Sequence, residues 1–207
     1  MKFLKGVIIS AISALSLNAQ AAFIDFNDYV VSGFSNQQVS GSPTVSSDGS
    51  ELSLDGNLWV YINGAFEITS DTVLYLTVEA SGSEAEWYGF GFDNDNLVTA
   101  STLLQLGGPT SSRVTDLDVY QYGDGVVDLA INVGSYITGT FSQFVFVLDA
   151  DSMSGTSLSF TDVELCSSGD LCLSTSSVPS SPTAVSAPAA GSLLLLSLVL
   201  LVSRRKI

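Results

Sequence analysis

Apolar and polar positions alternate with a period of two through most of the chain between residues 23 and 165. In Thr72-Val73-Leu74-Tyr75-Leu76-Thr77-Val78, one face carries Val73, Tyr75 and Thr77, and the other Leu74, Leu76 and Val78. In Phe141–Leu148, one face carries Phe144, Phe146 and Leu148. Both stretches read as two-faced, mostly buried strands. The pattern predicts strands at Phe23–Phe34, Ser50–Leu54, Leu58–Ile62, Val73–Ala80, Trp87–Phe92, Thr102–Leu106, Asp116–Tyr122, Val126–Val133, Phe141–Asp149 and Ser157–Leu165. Asp48-Gly49, Asp55-Gly56, Asn63-Gly64 and Asp124-Gly125 supply turn chemistry between them. No sustained helical period interrupts the series. Short strands separated by such turns predict an all-β fold, an antiparallel β-sandwich of jelly-roll type.

The two ends follow a different pattern. Residues 1–21 have basic Lys2 and Lys5, an apolar stretch from Gly6 to Leu17, and a small-residue site with Ala19 and Ala21. This is the layout of a signal peptide cut after Ala21. At the other end, residues 187–207 hold an apolar run from Ala187 to Val202, followed at once by Arg204, Arg205 and Lys206. At 1.5 Å per residue that run covers about 24 Å as a transmembrane helix, with the basic cluster left on the cytoplasmic side. Residues 174–186, rich in Ser, Thr, Pro and Ala, form a solvated linker. Residues 22–173 remain for one domain.

Charge sharpens this division. The chain of 207 residues has 21 acidic and 6 basic residues, a net charge of −15, and no His. Arg113 is the lone basic residue between the two ends. The absence of imidazole excludes a Ser-His-Asp triad and a His-ligated metal. The acidity argues against nucleic acid. Cys166 and Cys172, the chain's two cysteines, lie in CSSGDLC, whose turn allows a structural disulfide in an oxidising compartment. A redox or metal pair is the weaker alternative, because the spacing is not CxxC.

The C-terminal layout resembles a PEP-CTERM sorting tail. Ala187-Pro188-Ala189 stands for the short motif, Gly191 to Val202 for the helix, and Arg204, Arg205 and Lys206 for the basic cluster. The resemblance implies processing by an exosortase-type protease in a Gram-negative bacterium. The precursor would be anchored in the inner membrane and the product would reach the cell surface or the extracellular matrix. Ala189-Ala190-Gly191-Ser192 fits a GlyGly-CTERM tail more loosely, and a permanent anchor is the third reading.

Candidate chemistry is concentrated in a few segments. Trp87-Tyr88-Gly89-Phe90-Gly91-Phe92 precedes Asp93-Asn94-Asp95-Asn96, and Asp149-Ala150-Asp151 follows another apolar strand. If the two acidic loops converge, Asp93, Asp95, Asp149 and Asp151 form a set of hard oxygen ligands suited to Ca²⁺. Otherwise the same residues make turns. Glu84 and Glu86 are spaced as in some glycosidase strands, but the hairpin-like Ser81–Ala85 segment points to solvated side chains rather than hydrolysis.

Gly56–Ile62, Ile68–Leu74, Gly89–Asn96, Ile131–Gly139 and Phe146–Asp151 together resemble a carbohydrate-binding-type β-sandwich module of secreted bacterial enzymes. The resemblance implies a non-catalytic module for extracellular polysaccharide. Aromatic faces stack on sugar rings while amides and carboxylates take hydroxyls. The sugar-contact candidates are Trp59, Tyr61, Trp87, Tyr88, Tyr120, Tyr122 and Tyr136, with Asn57, Asp93, Asn94 and Gln105 as polar partners. For any single aromatic the core reading carries the greater weight. Tyr120 and Tyr122, beside polar neighbours, are the favoured surface pair. A structural matrix protein without a specific ligand is the alternative function.

Overall fold

The computed structural model describes residues 23–110 and 114–167. The predicted signal peptide, Arg113, Cys172, the linker and the sorting tail lie outside these residues. Ten strands are present: β1 (Ser32–Gly33), β2 (Ser40–Val45), β3 (Glu51–Ile68), β4 (Val73–Gly82), β5 (Trp87–Asp93), β6 (Leu103–Gly107), β7 (Thr115–Asp116), β8 (Val127–Ile131), β9 (Gly139–Asp149) and β10 (Thr156–Cys166). They form one curled sheet in the order β7-β6-β5-β9-β3-β10-β4-β8, with β1 and β2 also pairing to β3. All pairings are antiparallel except the short β6–β7 contact. Among the described residues no helix is long and apolar enough to cross a membrane.

Strand β3 makes the curl. Its first half pairs with β2 and β10, and its second half with β1 and β9. Leu52, Leu54, Leu58, Val60 and Ile62 enter the same core on both sides of the turn. Gly56 sits between them with φ +115, a conformation that side chains rarely adopt. A Cβ there would lie 2.4 Å from the Ser40 carbonyl oxygen. Facing Gly41 is equally closed, since its Cβ would meet the Asp55 carbonyl. Two backbones therefore touch at this corner, where one strand passes between the two halves of the fold.

The main core lies between the halves. Phe90, Phe92, Phe144, Phe146 and Leu148 from one side meet Leu52, Leu54, Leu74, Leu76, Val78, Leu158 and Phe160 from the other. Phe146 has ring neighbours at 4.4 Å (Phe144), 5.0 Å (Phe160) and 5.6 Å (Phe26). The alternation read for β4 and β9 is the observed one. Strand β9 is buried on both faces, whereas the Val73, Tyr75 and Thr77 face of β4 is half-buried.

Several predicted strands differ. Phe23–Phe34 becomes an isolated bridge, a short 3-10 turn at Phe26–Asp28 and two-residue β1. Asp25 causes this locally by accepting the Asn27 backbone N–H. The separate strands at Ser50–Leu54 and Leu58–Ile62 are one strand, because Gly56 bends the chain without reversing it. Asn63-Gly64 is a register shift within β3 rather than a turn. Asp116–Tyr122 leaves strand geometry after Asp116, where Asp118 takes φ 47. Strand β2 was hidden by Gly41 and Pro43. Pro43 is tolerable because β2 is an edge strand.

Cys166 ends β10 and is buried. The expected pairing with Cys172 falls on a residue outside the described ones.

Candidate functional site

The outward face of the β1-β3-β9-β5-β6 half holds three of the seven aromatic candidates, Trp59, Tyr61 and Trp87. The register places Trp59 beside Val147, and Val147 beside Gly89. Trp87 folds over Gly89, whose Cβ would lie 3.0 Å from the indole ring. Trp59 and Trp87 meet edge to face at 4.7 Å. Phe34 covers them, parallel to Trp59 at 6.5 Å and edge-on to Tyr61 at 6.3 Å. The Phe34 segment crosses the face because the Phe34 N–H bonds to the Trp59 carbonyl and the Ser35 N–H to Asn96 Oδ1 at 2.8 Å.

Phe34, Trp59, Trp87, Leu103, Val145 and Val147 thus form a second hydrophobic cluster, with Tyr61 and Val114 packed against it. Trp59 and Trp87 are only 8% and 2% exposed. They are core residues under a strap, and neither offers a free face to a sugar. Tyr61 is half-buried at the margin. Tyr88 belongs to the main core, where its hydroxyl accepts the Ala85 N–H. Gln105 is also buried, and its amide donates to the Thr110 carbonyl at 2.9 Å. These four are corrected from sugar-contact residues to structural ones: Trp59, Trp87, Tyr88 and Gln105.

The proposed four-carboxylate calcium set does not assemble. Trp87 pairs with Asp149, while Asp93 pairs with Gln143. The six-residue offset between these rungs puts Asp93 and Asp149 roughly 20 Å apart along the strands. Asp93 instead accepts the Asp95 and Asn96 N–H groups, and Asp95 accepts the Leu97 N–H. Asn94 binds the Thr140 carbonyl and the Ser142 N–H, pinning this turn to β9. Among the described residues no group of three or more metal-ligating side chains is arranged around one ion.

At the other end, Asp149 and Asp151 are joined by Glu86. Asn57 donates to Asp151 Oδ1 at 2.7 Å, and Trp59 Nε1 to Asp149 Oδ1 at 3.2 Å. Glu86 accepts the Asp151 N–H and the Ser152 hydroxyl. Burial pushes the Asp149 carboxyl up from its ordinary range. The Trp59 N–H works against this, while Asp151 and Glu86 add to the rise. Glu86 is therefore a loop tie, separated in role from Glu84.

Glu84 lines a cleft among the described residues that combines an open aromatic face with carboxylate and amide groups. A cleft of about 240 Å³ is bounded by Glu84, Gly108, Pro109, Asp118, Tyr120, Gln121 and Tyr122. Three connections build it: β4–β5, β6–β7 and β7–β8. Tyr120 forms its base. It is 1% exposed, with its hydroxyl accepting the Ala80 N–H at 2.7 Å and donating to the Gly125 carbonyl at 3.2 Å. Tyr88 supports it edge-on at 5.8 Å. Burial accordingly raises both phenols above their ordinary range. The Tyr120 backbone packs so closely on Gly107 that a Cβ there would meet the Tyr120 carbonyl. Gln105 holds the adjoining Gly108 and Thr110 carbonyls.

Tyr120 is thus a correction: of the favoured surface pair, only Tyr122 presents its ring, at 40% exposure. The Tyr122 hydroxyl donates to the Gly82 carbonyl and fixes the ring at the cleft. The turn beneath is closed by Asp124, which accepts the Gln121 N–H at 2.9 Å. Sequence reading missed Asp118 and Pro109. The signal was Asp116-Leu117-Asp118-Val119-Tyr120-Gln121-Tyr122, whose alternation resembles a strand but carries too many polar groups for one.

No family model matches the chain, and no curated protein matches it. Similar solved structures include a low-affinity xylan-binding module from Roseburia intestinalis (14% identity, TM-score 0.36, 68% of this chain and 96% of that one). Another is the N-terminal cellulose-binding domain of β-1,4-glucanase C from Cellulomonas fimi (18% identity, TM-score 0.39, 74% and 97%). An exo-β-agarase matches over 72% of this chain and 25% of its own, at 11% identity and TM-score 0.32. At TM-scores this low the likenesses carry no functional weight, and function rests on the residues themselves.

Proposed function

We propose that this chain is an exported, non-catalytic protein that binds a glycan in the Tyr122 cleft. The observation that carries the reading is the cleft itself: a fixed, exposed tyrosine ring surrounded by the carboxylates of Glu84 and Asp118 and the amide of Gln121. A ring face and acceptor-rich walls match the apolar C–H face and the hydroxyl rim of a sugar. The volume falls below the roughly 300–1,000 Å³ typical of drug-sized ligand pockets, which suits a single sugar unit of a longer chain.

The N-terminal residues Met1–Ala21 and the tail Ala187–Ile207 support delivery to the cell surface through an exosortase-type route. Mass spectrometry of the native protein tests that delivery. Its termini should lie at Ala22 and near Pro188, and an intact Ile207 would mean a permanent anchor instead.

A glycan array with the full chain, followed by titration of each hit, tests binding. Tyr122→Ala should weaken a hit about tenfold, the scale of one aromatic contact, without loss of the folded state by circular dichroism. Full binding by Tyr122→Ala would remove the cleft from the site. An array without hits would favour a structural surface protein.

A further inference from the structure

We propose that the preferred ligand of the Tyr122 cleft is a cationic amino sugar carrying a free ammonium group, an inference that rests on the cleft being the glycan site. The reasons lie in the donor and acceptor inventory. Glu84 and Asp118, when ionised, accept hydrogen bonds and donate none. An ammonium group brings three donors and a positive charge to such walls. An acetamido or plain hydroxyl group brings fewer donors and no charge.

The surroundings strengthen this preference. The chain carries 21 acidic residues against 6 basic ones, and between the two ends Arg113 is the lone basic residue. A concave site in so acidic a chain concentrates positive ligands and repels polyanionic ones. The ring of Tyr122, fixed through Gly82, adds a face on which an ammonium group is favoured over a neutral one. Stacking and charge recognition thus call for the same ligand: a pyranose ring with an amine attached.

The test compares two probes of equal length, a glucosamine tetramer and an N-acetylglucosamine tetramer. Each is titrated calorimetrically into the full chain at mildly acidic pH with EDTA present. The amine tetramer should bind roughly tenfold more tightly, the combined scale of two exposed charge contacts and one cation–aromatic contact. The double substitution Glu84→Gln and Asp118→Asn keeps side-chain size and should abolish the preference. Thermal melting confirms that the double variant is folded, and each single substitution should lose part of the preference.

Equal or tighter binding of the acetylated tetramer would overturn the amino-sugar inference and leave the glycan-binding reading standing. Amine preference undiminished in the folded double variant would overturn the assignment to this cleft, since the attraction would then be diffuse. Failure of both tetramers alongside tight, Tyr122-dependent binding of a neutral glycan would likewise remove the inference alone. Absence of binding to every glycan tested would remove both.

Discussion

Replacing Phe34 by Ala should open the second hydrophobic layer without destroying the first. Phe34 is fully buried, yet it arrives on a short strap rather than within a long strand. Its ring contacts are Trp59 and Tyr61. A buried Phe→Ala change costs about 3–5 kcal/mol. The lower end applies here, because the strap can shift and water can enter from one side. At about 3 kcal/mol, a domain of this size should melt roughly 6–12 °C lower.

The two tryptophans make the assay specific. Trp59 and Trp87 are the only ones in the chain, and both lie under Phe34. In the wild type their emission should be blue-shifted and poorly quenched by acrylamide. In Phe34→Ala it should shift to the red and quench readily below the melting transition, while far-ultraviolet circular dichroism stays unchanged. Unaltered emission and quenching in a folded variant would refute the idea that this residue seals the face.

Three further outcomes follow from particular contacts. Asp149→Asn should raise the melting temperature at neutral pH by less than about 1 kcal/mol equivalent, given the group's partial exposure, and still accept the Trp59 N–H. The raised folded pKa means that the wild-type carboxyl contributes its stability below the unfolded value near 3.8 and loses it as pH rises through the folded value. The benefit of the substitution should therefore vanish in acid, and a benefit independent of pH would contradict it. Tyr120→Phe should cost about 1–3 kcal/mol by orphaning the Ala80 N–H, measured by urea unfolding; a variant as stable as wild type would count against the buried bond. Gly56→Ala should destabilise by at least about 1 kcal/mol through its positive φ and the Ser40 carbonyl, and a higher denaturation midpoint would show that the corner is looser than described.

The sequence by itself determined the β class and much of the core. Period-two alternation identifies Leu74, Leu76 and Val78, or Phe144, Phe146 and Leu148, as one face, because successive side chains in a strand point to opposite sides. It also located the turn at Asp48-Gly49, whereas the turn expected at Asp124-Gly125 lies just before it, at Tyr122-Gly123. Alternation does not say what covers each face. Trp59 and Trp87 point away from the main core, and only the crossing strap decides that they are buried. Strand polarity was equally silent. Asp93 and Asp149 each end an apolar strand, but β5 and β9 are antiparallel neighbours, so those ends point in opposite directions. Tyr120 and Tyr122 share one local pattern, and the tertiary contacts separate them. The backbone of Gly107 and the amide of Ala80 draw Tyr120 inward, while Gly82 holds Tyr122 at the surface. A local pattern records the choice of face, whereas burial and site geometry arise from segments distant in sequence, whose contacts no local period encodes.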